Sequence, residues 1–310
     1  STAVVLLGIK REVRSRLWIF FMRKKVAMYF TGIILASTAF LAAIDNEVGA
    51  MGLDGDFNSH PYSDTGGYQD DDDVPHGNIT LELAVEYDNG YKTHEQSKGN
   101  VIQYITKFLT QVNKYFKYTK ESAEQRVQSL TFRLKEHKES EKNVVDQIRE
   151  LGGGTLTVSN ARQFLHTVGS SYHKKDPELA AVLILTLVPK HETQSYNEDF
   201  YEATTLGGVC SNDLATVVVD NPNGMTGVIP AAKALAKLLG AVKDGEDQPK
   251  EDPVPGSDGA KHCEASDGYL LGSSATNTAN TNALSECTWE QIFVGLERRE
   301  KTCWNKKTKV

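Results

Sequence analysis

The chain of 310 residues carries 34 lysines and arginines against 41 aspartates and glutamates, a formal net charge of -7. This length accommodates one large domain or two small ones, and the apolar fraction of 39% suffices for a sizeable core. Residues 1–50 are net positive, so the acidic balance belongs to the remainder, which argues against nucleic acid as a partner. The four cysteines lie in the last third without C-x-x-C spacing, which argues against a structural zinc knuckle.

The first fifty residues have the pattern of a targeting segment. Met22 is followed by three basic residues and then by an apolar run over 33–43, which predicts a secretory signal peptide at 22–50. A signal anchor is the alternative, because 17–21 add apolar residues upstream. Residues 1–21 precede Met22 and are interpreted as translated upstream sequence. Secretion leads to an oxidising compartment, where an even number of cysteines predicts two disulfides.

Residues 51–77 are predicted to be a disordered acidic linker. Gly, Ser, Asp and Tyr dominate, and four consecutive aspartates lie at 70–73, a composition that buries little apolar surface. Asn78 opens the sequon Asn-Ile-Thr and is a candidate N-glycosylation site at the start of the fold. The globular domain is therefore assigned to 78–310.

The remaining pattern alternates between strands and helices, which predicts an α/β fold. Apolar residues recur at helical spacing over 100–116, and the charged residues 135–142 predict a solvent-exposed loop. The nearly continuous apolar run over 181–188 is typical of a strand that is covered on both faces. The predicted strands are 79–87, 130–134, 181–188 and 214–219.

One predicted helix carries the most informative residues. Apolar residues recur at helical spacing from Val228 to Leu239, and Gly240 ends the helix. Lys233 and Lys237 lie one turn apart on the same face. A lysine-bearing amphipathic helix with a glycine stop is common, so this segment alone does not separate a structural helix from a functional one.

The segment resembles an altered form of the metzincin zinc-protease signature H-E-x-x-H-x-x-G-x-x-H-D. Aligned on Gly240, the three histidine positions carry Lys233, Lys237 and Lys243, and the glutamate position carries Ala234. A lysine at neutral pH is an ammonium without a lone pair for zinc, and alanine has no carboxylate to act as a general base. The resemblance therefore implies a degenerate zinc site that has no catalytic residue and no metal.

Further segments resemble the reprolysin-like (adamalysin) metzincins, in particular the secreted type of tick saliva. Residues 206–210 precede the helix as in that family, and 267–271 resemble the Met-turn, with Leu271 in the place of methionine. Residues 284–287 resemble the cysteine-containing element before the last helix. The resemblance covers 78–303. It implies a metzincin fold with a twisted mixed sheet, an active-site helix and a small irregular C-terminal subdomain.

The same resemblance implies that Cys210 pairs with Cys287 and that Cys263 pairs with Cys303. The residues by themselves leave all three connectivities of four cysteines open.

Two weaker features lie in the C-terminal part. Residues 288–300 are predicted to form the last helix, with Thr288 and Gln291 as a capping box. His262, together with Asp244 or Asp258, is a candidate metal site, although a lone loop histidine usually binds nothing.

The resemblance and the residues together imply two alternative functions. The first is a secreted, monomeric, catalytically inactive metalloprotease homologue without a cofactor, which binds an extracellular protein or peptide by strand addition. The alternative is an active secreted zinc metalloendopeptidase with a non-standard ligand set. Neither involves nucleic acid or, after signal cleavage, a membrane. Crowded lysines repel one another, so we expect the acids of 244–252 to pair with them, or an anion to bind.

Overall fold

The computed structural model describes residues 74–93, 100–118, 127–187, 193–272 and 279–304. The chain divides into two units at Gly67–Tyr68, and all of the described residues belong to the second unit. The interpretations of 1–21 as upstream sequence and of 22–50 as a signal peptide lie outside the described residues, as does the linker up to residue 73.

Strands and helices alternate along the described chain, as the sequence predicts. The strands are β1 (Gly77–Asp88), β2 (Val127–Ser140), β3 (Ala181–Thr186) and β4 (Ala215–Val219). The helices are α1 (Asn89–Thr93), α2 (Val101–Val112), α3 (Val144–Leu151), α4 (Val158–Lys175), α5 (Thr193–Ala203), α6 (Val228–Leu238), α7 (Glu286–Glu297) and α8 (Lys301–Trp304). Short 3-10 turns lie at Asn113–Phe116, Ala265–Asp267 and Ala279–Asn282.

The described strands form one parallel sheet in the order β2-β1-β3-β4. Parallel neighbours need a crossover connection, and the helices between successive strands supply it. The α/β prediction is therefore confirmed. The prediction of a mixed sheet is wrong for the described residues, because each strand is followed by a helix that returns the chain to the same end of the sheet. Between β3 and β4 that helix is α5.

Strands β1, β3 and β4 are almost wholly buried, with helices on both faces, whereas the outer strand β2 remains partly exposed. In β3, Leu183 and Leu185 pack into a core with α2, α6 and α7, whereas Val182 and Ile184 pack into a second core with α3, α4 and α5. This double coverage explains why the apolar run is continuous rather than alternating. The prediction of a strand covered on both faces is confirmed for Ala181–Thr186.

Strand β2 extends through the charged segment that the sequence predicts to be a loop. It pairs with β1 along its length as far as Ser140. The Lys135 ammonium lies 2.7 Å from Glu82 Oε2 and 2.6 Å from Asp176 Oδ2. The loop prediction for 135–142 is therefore wrong for 135–140, where the backbone pairs with β1 while charged side chains such as Lys135 and Glu136 form ion pairs with neighbouring elements.

Helix α7 begins one turn earlier than predicted. The Ser285 hydroxyl accepts a hydrogen bond from the Thr288 amide at 3.1 Å, so Ser285 and not Thr288 is the N-cap. Gln291 does not complete a capping box. Its side-chain oxygen instead accepts from the Val242 amide at 3.0 Å, which ties α7 to the segment after α6.

An asparagine side chain takes the place of a neighbouring strand at each outer edge of the sheet. On β2, Asn113 accepts from the Phe132 amide at 2.9 Å and donates to the Phe132 carbonyl at 3.0 Å. On β4, Asn197 of α5 makes the same two bonds to Val219, at 2.8 and 3.2 Å. A primary amide offers the same donor and acceptor as a peptide group, so these edge positions are satisfied within the chain.

The disulfides differ from the pairing that the family resemblance implies. Cys210 bonds to Cys303 and Cys263 bonds to Cys287, with Cα–Cα distances of 6.0 and 6.1 Å. The reason lies in where the two helices begin. Cys287 is in the first turn of α7, where its amide donates to the Cys263 sulfur, whereas α8 carries Cys303 into the main core. Two disulfides are thus present, but each cysteine pairs with a different partner from the one that the resemblance implies.

Peptide mapping of the non-reduced protein is expected to recover these two pairings. Replacement of Cys263 and Cys287 by alanine should lower the free energy of unfolding by about 3 kcal/mol, because the bond restricts the conformations of the unfolded chain. A Cys210–Cys287 peptide in the digest would contradict the structure and restore the pairing of the resembled family.

Candidate functional site

Helix α6 is positioned by the buried carboxylate of Asp220, which follows β4. Asp220 is 1% exposed, and its Oδ1 accepts from the Gly227 amide at 2.8 Å. Its Oδ2 accepts from the hydroxyls of Tyr91 and Tyr104. Burial, and then the charge of Asp220, raise the pKa of Tyr91, which therefore remains a donor. A Cβ at Gly227 would lie 2.6 Å from the Asp220 Cβ, so this approach needs glycine.

The residue of α6 that aligns with the glutamate of the resembled signature lies in the core. Ala234 is 2% exposed, and it packs with Leu235 in the core beneath the sheet. The helix ends as predicted before Gly240, whose φ of 106° is a left-handed conformation. A carboxylate at position 234 would therefore be buried among apolar side chains.

Lys237 is held against helix α5. Its ammonium donates to the Tyr201 carbonyl at 2.8 Å and lies 4.6 Å from the centre of the Tyr201 ring. The Glu202 carboxylate is 3.9 Å away. Burial lowers the pKa of Lys237, and Glu202 partly offsets that effect. The ammonium thus has a carbonyl, a ring face and a carboxylate as partners.

Lys243 reaches the same side of α5 from beyond the Gly240 turn. Its ammonium lies 2.8 Å from Glu198 Oε1 and 3.4 Å from Glu202 Oε1. It also lies 5.2 Å from the centre of the Tyr201 ring. Burial acts to lower the pKa of Lys243, but the two carboxylates outweigh it and raise the pKa.

Lys233 lies one turn before Lys237. Burial lowers its pKa, the charge of Glu198 acts in the opposite direction, and Lys243 adds to the lowering. The structure therefore brings Lys237 and Lys243 into contact with α5, and Lys233 joins them only through the charges of Glu198 and Lys243.

The acids that pair with the lysines are not the predicted ones. The acids of 244–252 were expected, but Asp244 accepts from the Ser285 hydroxyl at 2.5 Å and Asp247 pairs with Lys261. The sequence analysis missed Glu198 and Glu202. Their four-residue spacing on a helix was the available signal, because it places both carboxylates on one face.

The lysines fasten α5 over the outer edge of β4. The contacts of Lys237 and Lys243 hold one face of the helix, and Asn197 holds Val219 on the other side. The peptide groups of Val219, which strand addition at this end of the edge would need, are thus occupied by the chain itself.

The segment after Gly240 is anchored to the C-terminal part. Asp244 is 3% exposed, and its amide donates to the Leu271 carbonyl at 3.1 Å. Burial raises the pKa of Asp244, opposed by hydrogen bonds from Ser285 and Thr288. Leu271, which stands at the methionine position of the resembled Met-turn, is buried beside this anchor.

A cavity of about 950 Å³ opens beside the lysines. Its walls come from α4, the end of α5, Lys237 of α6 and the loop 242–252. On the α4 wall, His166 Nδ1 lies 2.7 Å from Asp213 Oδ1, and Arg162 donates to the Glu202 carbonyl at 3.2 Å. Within the cavity lining, the charged side chains that pair with one another are His166 with Asp213, and Lys237 and Lys243 with Glu202.

The residues that align with the zinc positions of the resembled signature do not fit a zinc ion. Two of the three ammonium groups are bound by carboxylates, and Ala234 lies in the core. Within the described ranges, no group of three or more His, Cys, Asp or Glu side chains is arranged to hold a metal. His262 is exposed and lies, with Asp258, near Glu290, whereas Asp244 is bound to Ser285.

Asn78 is exposed at the start of β1, where its side-chain oxygen accepts from the Ser129 hydroxyl at 2.6 Å. Its glycosylation stays a prediction. Among the helices of the described residues, none has both the length and the apolar character of a membrane span. No protein-family model matches the chain, and no curated protein matches its sequence.

Replacement of Asn197 by leucine is expected to lower the free energy of unfolding by about 1–3 kcal/mol, because the Val219 peptide groups lose both partners. Hydrogen exchange at the Val219 amide should also accelerate. Asn212→Leu on an exposed turn serves as the matched control. Equal stability of N197L and the wild type would show that the edge is not closed by this side chain.

The bond from Lys243 lowers the pKa of Glu198 from its ordinary value of 4.5. The pair therefore stabilises α5 at pH values above 4.5 and loses this effect as pH falls through the lowered pKa. Lys243→Met should return the Glu198 pKa towards its ordinary value in an NMR titration and speed amide exchange in α5. Lys261→Met, which removes a surface pair, is the control. An unchanged Glu198 titration would refute the contact.

Proposed function

We propose that this protein is a secreted, catalytically inactive metalloprotease homologue that acts by binding an extracellular protein or peptide. The proposal rests on the contacts of Lys237 and Lys243, whose ammonium groups are bound by Glu198, Glu202 and Tyr201. Positions that hold zinc in the resembled family are here parts of an internal ion-pair cluster.

The chemistry of peptide hydrolysis supports the same proposal. A zinc peptidase needs a metal to lower the pKa of water and a carboxylate to take the proton. The lysines supply positive charge but no lone pair, and Ala234 supplies no base. A base introduced at position 234 would point into the core, so a change of one residue does not recreate the site.

The cavity supports a binding role. Its volume of about 950 Å³ lies at the upper end of the range of small-ligand sites. It is also preformed, because α7 and the C-terminal part fix the loop 242–252 through Gln291 and Ser285. The covered edge of β4 makes this cavity, rather than strand addition at Val219, the proposed place of binding.

The two disulfides support the extracellular location. Structural disulfides form and persist in oxidising compartments, and this chain has no free cysteine among its described residues.

Metal analysis of the purified chain is expected to find far less than one zinc per molecule, and incubation with zinc should give no chelator-sensitive cleavage of casein. The triple variant Lys233→His, Lys237→His, Lys243→His should gain zinc binding in calorimetry, since it restores imidazoles beside Glu198 and Glu202. Ala234 is kept in that variant because it is buried.

The matched control replaces the same three lysines by methionine, which removes the same charge without adding ligands. Stoichiometric zinc and zinc-dependent cleavage by the wild-type chain would overturn the proposal and favour an active metallopeptidase with a non-standard ligand set.

A further inference from the structure

The cavity beside α5 has an excess of negative charge. Its lining includes six carboxylates against three lysine and arginine side chains. The basic groups are already compensated in part, because Lys243 pairs with Glu198 as well as with Glu202, and the Lys237 ammonium also binds a backbone carbonyl. The positive charge of the two lysines is therefore largely neutralised by groups of the protein itself.

The unpaired charge lies on one wall, the loop 242–252. Glu246, Glu251 and Asp252 line the cavity and are exposed. None of them forms a direct ion pair with a described residue, and only Glu246 acts through its charge on a lysine of the lining, Lys237. The remaining carboxylates of the lining have partners, as Asp213 does with His166 and Asp247 with Lys261. A cation that enters the cavity would thus meet three carboxylates on one side, of which Glu251 and Asp252 have no cation of the lining acting on them and Glu246 has only the longer-range charge of Lys237.

This loop is held in place before any ligand arrives. The Gly245 amide donates to the Ala260 carbonyl at 2.9 Å, and the Ala260 amide donates to the Glu246 carbonyl at 2.8 Å. Gln248 accepts from the Val254 amide at 3.0 Å and donates to Gln291 of α7 at 3.2 Å. A fixed arrangement of carboxylates avoids part of the ordering cost of binding.

The lining also has apolar surface beside these carboxylates. Leu206, Val242 and Pro249 face the same cavity. Lysine and arginine side chains bury their methylene stems against apolar surface while the charged head reaches polar groups. The combination of apolar lining and carboxylate rim fits such side chains better than it fits acidic or purely apolar ones.

We infer that the cavity binds a basic peptide segment of a partner protein, with its lysine or arginine side chains directed at Glu246, Glu251 and Asp252. This inference rests on the proposed function and specifies the chemistry of its ligand. The α4 wall, which carries Arg162, would face the backbone or an acidic residue of the same segment.

The test measures fluorescence anisotropy of a labelled peptide of alternating arginine and glycine, added to the full chain at about 0.15 M salt. Saturable binding is expected, and the variant Glu246→Gln, Glu251→Gln, Asp252→Asn should bind about tenfold more weakly, because three ionic contacts are lost. A peptide of alternating glutamate and glycine should not bind.

The control variant Asp258→Asn, Glu264→Gln, Glu297→Gln removes the same charge from exposed positions outside the cavity. It should retain wild-type affinity. Equal weakening in both triple variants, or no saturable binding to the wild type, would overturn the inference.

Mass spectrometry of the peptide after incubation with the chain and zinc separates the two proposals. A peptide that binds but is cut overturns the inactive function and leaves the preference for basic ligands intact. A peptide that stays whole and unbound overturns only that preference.

Discussion

The carboxylate of Asp220 fixes the position of α6, and with it the arrangement of the candidate site. It accepts hydrogen bonds from the amide of Gly227, the N-cap of α6, and from tyrosines of α1 and α2. A buried carboxylate is costly unless its oxygens are satisfied, so these three donors make its burial favourable. The close approach of Gly227 completes the joint between β4 and α6.

From α6 and the turn after it, the lysines extend towards α5, and their contacts hold that helix in place. Glu198 and Glu202 neutralise ammonium groups that would otherwise repel one another, and the ring of Tyr201 lies between them. The helix then stays on the edge of β4 and forms part of the cavity wall. The same contacts thus keep α5 at the end of a strand edge and in the wall of the cavity.

Binding and catalysis place different physical demands on a site. Hydrolysis needs a metal or another electrophile, whereas binding needs only a preformed surface with complementary charge. The ammonium groups of Lys237 and Lys243, at two zinc positions of the resembled signature, are bound by groups of the chain itself. Under the proposed function, the charge that a ligand would meet is the negative charge of Glu246, Glu251 and Asp252 on the loop wall.

The sequence by itself determined the α/β class, the double coverage of β3 and the helix that ends before Gly240, because these follow from local periodicity and from glycine conformation. Only the tertiary structure decided the parallel sheet, the disulfide partners and the acids that bind Lys243. These depend on contacts between segments distant in the chain, as Glu198 and Cys303 illustrate. Periodicity reports which face of an element is buried, but not which element buries it.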